Sequence, residues 1–290
     1  MSRRRMSRRR PLVLLALGAV AAGVALPLAR RRLGLHPAVT AIAAAAAPIG
    51  VSVALPRSRK RDVAVYALQM WGYIVVHELP HDDPEKLARR AHIDYPIDFD
   101  RLVFGTAPNA ALQRALSRPG RSTILDHALT YSHWAWFLQP HLAAGWILWR
   151  HPDRFPRAAT MICAVFDIGL IGYFVVPTAP PWYAAEQGRI PGTRRIMVEV
   201  GERVWGRFWP WLYGFLGGNP LAAMPSLHFG TSVMAAHVLG EVGPVPGALG
   251  WTYASVLGFA LVYLGEHYVI DLAAGLALAE SVRLALPERT

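Results

Sequence analysis

The chain has 290 residues, 53% hydrophobic and only 17% charged, where a soluble domain carries about a quarter charged residues. With a mean hydropathy of +0.27, a disordered, collagenous or coiled-coil chain is excluded, and the lone Cys163 excludes a disulfide framework and a cysteine-based zinc finger. The net charge of +11 does not point to nucleic acid: Lys60 and Lys86 are the only lysines, and the arginines sit at the ends of apolar runs, as in membrane proteins.

A bilayer core takes about 20 apolar residues as helix. Eight stretches qualify, at 11–29, 35–55, 63–79, 127–149, 158–178, 222–240, 248–264 and 268–286. The first follows Arg3–Arg5 and Arg8–Arg10 and is expected to be a retained anchor. It is too long for the apolar region of a signal peptide, and no small-residue cleavage site precedes Arg30. The second is Ala-rich, with Pro48 and Gly50 inside it. The expected fold is all-α: a polytopic membrane helix bundle with a six-helix core and about two N-terminal spans. Residues 1–62 form the basic tail and anchor spans, and 63–290 the core.

If the spans alternate, the arginines before residue 11, the basic run 57–61, and Arg150, Arg154 and Arg157 share one face. That face is cytoplasmic by the positive-inside rule. Arg30–Arg32 falls on the other face, against the rule. Loops 80–126 and 179–221 then lie outside. In the second, Ile196, Met197, Val200, Val204 and Phe208 recur at helical spacing among charged residues. This predicts an amphipathic helix lying in the membrane interface. Trp205, Trp209 and Trp211 suit an interfacial aromatic belt.

Ionisable residues at span ends are costly and call for a reason. Two clusters stand out, Pro225-Ser226-Leu227-His228 and Gly265-Glu266-His267 with Asp271. Alternation brings both to the outer face. His267 and Asp271, four residues apart, share one helix face, so the carboxylate can orient the ring. Ser226 suits a helix cap, and a helix start suits an anion such as phosphate. His228 is near enough to that start to donate a proton to a leaving oxygen. His36, His77, His133 and His237, each taken alone, read as structural or interfacial residues.

At these residues the chain resembles the type 2 phosphatidic acid phosphatase superfamily, the lipid phosphate phosphatases. Pro225-Ser226-Leu227-His228 is similar to its second signature, and Gly265-x-His267-x-x-x-Asp271 to the core of its third. Tyr173 to Trp182, with Pro177, Pro180 and Pro181, resembles the Pro-rich segment of the inositol phosphorylceramide synthase branch. The likeness spans 63–286. The superfamily's first signature is absent, and Ala260-Leu261 stands where the Ser-Arg of the third would fall. The inositol phosphorylceramide branch also relaxes these.

The resemblance implies a phosphohistidine mechanism. His267 is the nucleophile, Asp271 its support, and His228 the acid and then the base; no cofactor and no metal take part. Ser226, Arg194 and Arg195 are the substrate-binding candidates, the arginines facing the bound anion from a loop that closes over the site. The substrate is a membrane lipid, and the acceptor is water or a polyol such as inositol. The enzyme is expected in the cell membrane with its site on the extracytoplasmic face. Two other classes compete: a metal-dependent membrane hydrolase using His228, His267, Asp271 and Glu266 as ligands, and a non-catalytic lipid-binding or transport scaffold.

Overall fold

The computed structural model describes residues 3–118, 120–216 and 218–287. Its described residues form helices and isolated bridges, with no strand. The chain divides into two compact units, Met1–Asp82 and Asp83–Thr290.

The first unit holds α1 (Arg3–Leu33), α2 (Pro37–Ala54) and α3 (Arg59–Glu78). His36 caps α2 through its ring, which accepts from the Ala38 amide at 3.2 Å. Pro37 sits at the first position, where its missing N–H costs nothing. Arg30 at the end of α1 meets Glu78 at 2.9 Å and Asp82 at 3.1 Å, just past α3. Arg31 meets Asp82 at 3.0 Å. The ends of α1 and α3 therefore share a level, and two of the arginines that break the basic-loop pattern are held by acidic partners. The third apolar stretch, α3, belongs to the same compact unit as the first two.

The second unit contains α4 (Pro84–Arg90), α5 (Asp94–Phe104), α6 (Pro108–Leu116), α7 (Ile124–Ala135), α8 (Gln139–Arg150), α9 (Phe155–Val175), α10 (Pro181–Glu186), α11 (Ile196–Trp205), α12 (Trp209–Leu216), α13 (Leu227–Gly240), α14 (Pro244–Tyr263) and α15 (Val269–Ala285). The two long loops are thus filled with short helices. α13 is the hub, packed on α8, α9, α14 and α15. It is apolar on nearly every face and buries Gly230 through Ala236 without a break.

The stretch 127–149 is not one helix. It breaks at Trp136–Leu138 between α7 and α8. Pro140 has no N–H, and its ring would clash with the Trp136 carbonyl in a continuous helix. The freed Trp136 indole donates to Thr231 Oγ1 of α13 at 2.9 Å. Among the described residues, four helices are long and apolar enough to cross a membrane: Arg10–Leu33, Pro37–Ala54, Phe155–Val175 and Pro244–Tyr263. That is the make-up of an integral membrane protein. α13 and α15, at 14 and 17 residues, are shorter than expected.

Arg157, at the start of α9, pairs with Glu241 at 2.9 Å just past α13 and donates to the Leu286 carbonyl just past α15. At the other end of α9, Tyr173 donates to the Pro225 carbonyl before α13. The basic loop 150–157 therefore lies at the opposite end of this unit from the start of α13.

Candidate active site

The site forms where α13 and α15 begin. Ser226 caps α13, its hydroxyl accepting from the Phe229 amide at 3.3 Å, and its own amide donates to the Asp271 carbonyl at 2.9 Å. The two helices touch at glycine. A Cβ on Gly230 would come within 2.8 Å of the Gly275 carbonyl, and one on Gly275 would collide with the Ser226 carbonyl. Backbone contact, with no side chain between, draws the two histidine-bearing helix starts together.

His228 Nδ1 lies 3.1 Å from His267 Nε2. His267 Nδ1 lies 3.2 Å from Asp271 Oδ2. The same Asp271 oxygen accepts from the Tyr268 amide at 2.9 Å, which fixes the carboxylate. His267 is 3% exposed and Asp271 0%, so these groups work in a low-dielectric setting where charges count for more. The helical spacing in the sequence anticipates the His267–Asp271 contact, and the structure adds His228 to the same line.

The structure separates the two candidate arginines. Arg195 turns to Glu266, with Nε 3.0 Å from Oε1 and a second nitrogen 3.2 Å from Oε2, a bidentate pair. Its guanidinium lies 3.9 Å from the centre of the Trp182 ring. Burial pulls the Glu266 carboxyl upward, but the Arg195 charge and hydrogen bonds, with smaller effects from His133 and His267, hold it below the usual carboxylate range. Arg194 turns away, to Glu199 at 3.0 Å and to Ser117. Gln113 locks its backbone, accepting from the Arg194 amide at 2.8 Å and donating to its carbonyl at 2.9 Å. Glu199, in the first turn of the helix that follows, takes the side chain that the sequence offered to the anion.

The outer loop is stitched to the turn that carries Glu266 and His267. The Trp182 amide donates to the Gly265 carbonyl at 3.0 Å, and the Ile196 amide to the Leu264 carbonyl at 3.3 Å. Gly265 has φ +80, and a Cβ there would meet the Arg194 carbonyl at 2.6 Å, so only glycine fits. The Pro-rich segment is pinned as well. The His92 amide donates to the Pro177 carbonyl and the Ala223 amide to the Thr178 carbonyl. The amphipathic helix, α11, turns the first part of its apolar face into the protein, while Val204 and Phe208 of the same periodic set stay exposed. Ile196, Met197 and Val200 are buried against Leu129, Tyr263, Leu264 and Trp209. Trp209 is therefore core rather than belt, while Trp205 and Trp211 are exposed.

Three contributors lie outside the sequence motifs. Asp100 caps α15 from α5, accepting from the Val269 and Ile270 amides at 2.9 and 3.1 Å. Asn109 donates to the His267 carbonyl at 2.9 Å and the Val262 carbonyl at 2.7 Å. His133, expected to be structural, has its ring centre 5.0 Å from that of His228, which also lies 4.1 Å from Trp136. His133 is 4% exposed, and its Nδ1 has no hydrogen-bond partner among the described residues. No spacing rule in the sequence links these three to the histidine pair.

Residues 97–283 match the family model of the PAP2 superfamily, and the chain belongs to that superfamily. Its long apolar helices are those of an integral membrane protein. It is 31% identical over 136 residues to the phosphoinositol dihydroceramide synthase of Bacteroides thetaiotaomicron, covering 42% of each chain. It is 32% identical over 117 residues to the catalytic subunit of inositol phosphorylceramide synthase from Schizosaccharomyces pombe, covering 38% of this chain and 28% of that one. The inositol phosphorylceramide synthase of Candida albicans is 31% identical over 126 residues, covering 40% of this chain and 26% of that one. The matches thus span less than half the length of these relatives. No solved structure matches the chain at a significant level.

Proposed function

We propose that the chain transfers a phospho-polyol headgroup, such as phosphoinositol, from one membrane lipid to the hydroxyl of another through a phosphohistidine intermediate. The observation that carries this is the unbroken line Asp271–His267–His228 at 3.2 and 3.1 Å. His267 Nε2 attacks the phosphorus of a diester as the bond to the departing lipid alkoxide breaks. His228 supplies the alkoxide's proton. The acceptor hydroxyl then loses its proton to His228 as its oxygen attacks phosphorus and the N–P bond breaks. Asp271 stabilises the imidazolium that forms between the two steps. Phosphorus has to enter where the two rings meet, beside Arg195 and the start of α13, where the positive end of the helix dipole favours an anion.

The names of the relatives support the choice of headgroup, since their products carry phosphoinositol on a ceramide. The polyol, an acceptor in the simplest sequence reading, is then part of the group that moves. The site opens on the extracytoplasmic face; the support is the basic loop 150–157 at the far end of the same unit. Bidentate pairing of Glu266 with Arg195 weakens the case for that carboxylate as a metal ligand.

The test is purified protein in mixed vesicles of phosphatidylinositol and a ceramide. The expected product is an inositol-phosphate-bearing ceramide together with diacylglycerol, formed equally well with a chelator present. Acid-labile phosphate on the protein, lost in His267→Ala along with all turnover, marks the intermediate. Free phosphate from phosphatidic acid as the main product would make the chain a phosphatase. Chelator-sensitive turnover would favour the metal hydrolase, and no turnover at all the scaffold.

A further inference from the structure

A phosphodiester brings one negative charge to the site, and a phosphomonoester above its second ionisation, near pH 6, brings two. The fixed charges at the site are few. Arg195 is the cation beside the histidines, and both of its contacting nitrogens are committed to Glu266. Glu266 is 8% exposed and adjoins His267 in the chain. Asp271 and Asp100 add two buried carboxylates at the same helix start. Arg194 is paired with Glu199. Against these stands the start of α13, worth about half a positive charge. A second negative charge on the phosphate would lie next to Glu266 with nothing to balance it.

We propose that Glu266 is a specificity-determining residue: by neutralising Arg195 it admits the singly charged phosphodiester and turns away the doubly charged monoester. This rests on the transfer reaction proposed above. Burying an ion pair beside a reaction centre costs desolvation energy that packing alone would not demand. Trp182, under the guanidinium at 3.9 Å, holds Arg195 from the other side, so Arg195 keeps its place when the charge on Glu266 is removed.

The test reads binding alone, on the full-length protein in detergent at pH 9. Octylphosphonate is a dianion there; octyl(methyl)phosphinate is a monoanion of similar size, and neither carries an ester to cleave. The wild type is expected to favour the phosphinate at least about tenfold, from one uncompensated charge a few ångströms from a carboxylate. Glu266→Gln, which keeps a hydrogen bond to Arg195, is expected to abolish that preference by tightening the phosphonate at least about tenfold. Glu266→Asp keeps the preference. A wild type without preference, an unchanged ratio in Glu266→Gln, or Glu266→Asp behaving like Glu266→Gln would each overturn the proposal. The wild-type preference needs no variant, so a misfolded Glu266→Gln protein does not shield the proposal. A chain that fails to transfer phosphoinositol yet separates the two anions in this way loses the proposed reaction and keeps the filter.

Discussion

Asp100 illustrates how a residue outside the motifs governs them. Its two oxygens take the Val269 and Ile270 amides, donors that a helix start leaves unpaired. Burial lifts its carboxyl above the usual range even though the two amides favour the charged form. Asp100→Ala is expected to cost about 1–2 kcal/mol of stability, the scale of a lost cap. It should also lower turnover, because the first turn of α15 carries Asp271. Asp100→Asn can satisfy only one amide with its single oxygen and should fall between the two. Thermal unfolding in detergent, with turnover measured on the same preparations, checks the order. The pairing of His267 with Asp271 was legible in the sequence because four residues is a short reach, although His267 lies two residues before α15 rather than on it, and Asp271 meets it from the first turn. Asp100, Asn109 and His133 were not, because each reaches the histidines across more than ninety residues of chain, and nothing local marks the meeting.

Among the elements, the contact between α13 and α15 sets the distance between the two histidines. Gly230 and Gly275 let the backbones approach, and the 3.1 Å separation of His228 and His267 depends on it. Gly275→Ala must push the helices apart or strain them, and overpacking of this kind costs about 1–3 kcal/mol. The expected result is helix content close to wild type by circular dichroism with turnover at least about tenfold lower. Apolar length revealed most of the helices. It did not reveal the break at Trp136–Leu138, where Pro140 overrides a continuous apolar run. Nor did it settle what covers α11. Its periodicity announces an apolar face, and a face of Ile196, Met197 and Val200 suits protein as well as lipid.

For the whole molecule the open quantity is direction across the bilayer. The start of α13 and the loop 150–157 lie at opposite ends of their unit, so one labelled position at each end determines the orientation. In a Cys163→Ala background, cysteine at exposed Gln187 is expected to react with an impermeant thiol reagent on intact cells. Cysteine at exposed Asp153 is expected to react only after the membrane is opened. The reverse pattern would invert the protein. Alternation alone could not decide the matter at Arg30–Arg32. The bridges to Glu78 and Asp82 put the end of α1 level with the end of α3, as alternation requires, and basic-residue counting does not see such pairing.

The contact between His228 and His267 has a consequence for the resting enzyme. If Asp271 holds the proton on His267 Nδ1, the lone pair on Nε2 is bare and can only accept, so His228 Nδ1 donates to it. In the proposed mechanism, the nucleophile at rest is therefore masked by the very proton later given to the leaving group. Substrate has to break that bond, which unmasks the lone pair and frees the proton in one movement. The free enzyme is thus guarded against stray electrophiles. His228→Asn, which retains only an amide in place of the ring, should react faster than wild type with diethyl pyrocarbonate at His267, read by peptide mass. The same variant should turn over more slowly. A wild type in which His267 is modified as fast as in His228→Asn would show that the lone pair is not held in reserve.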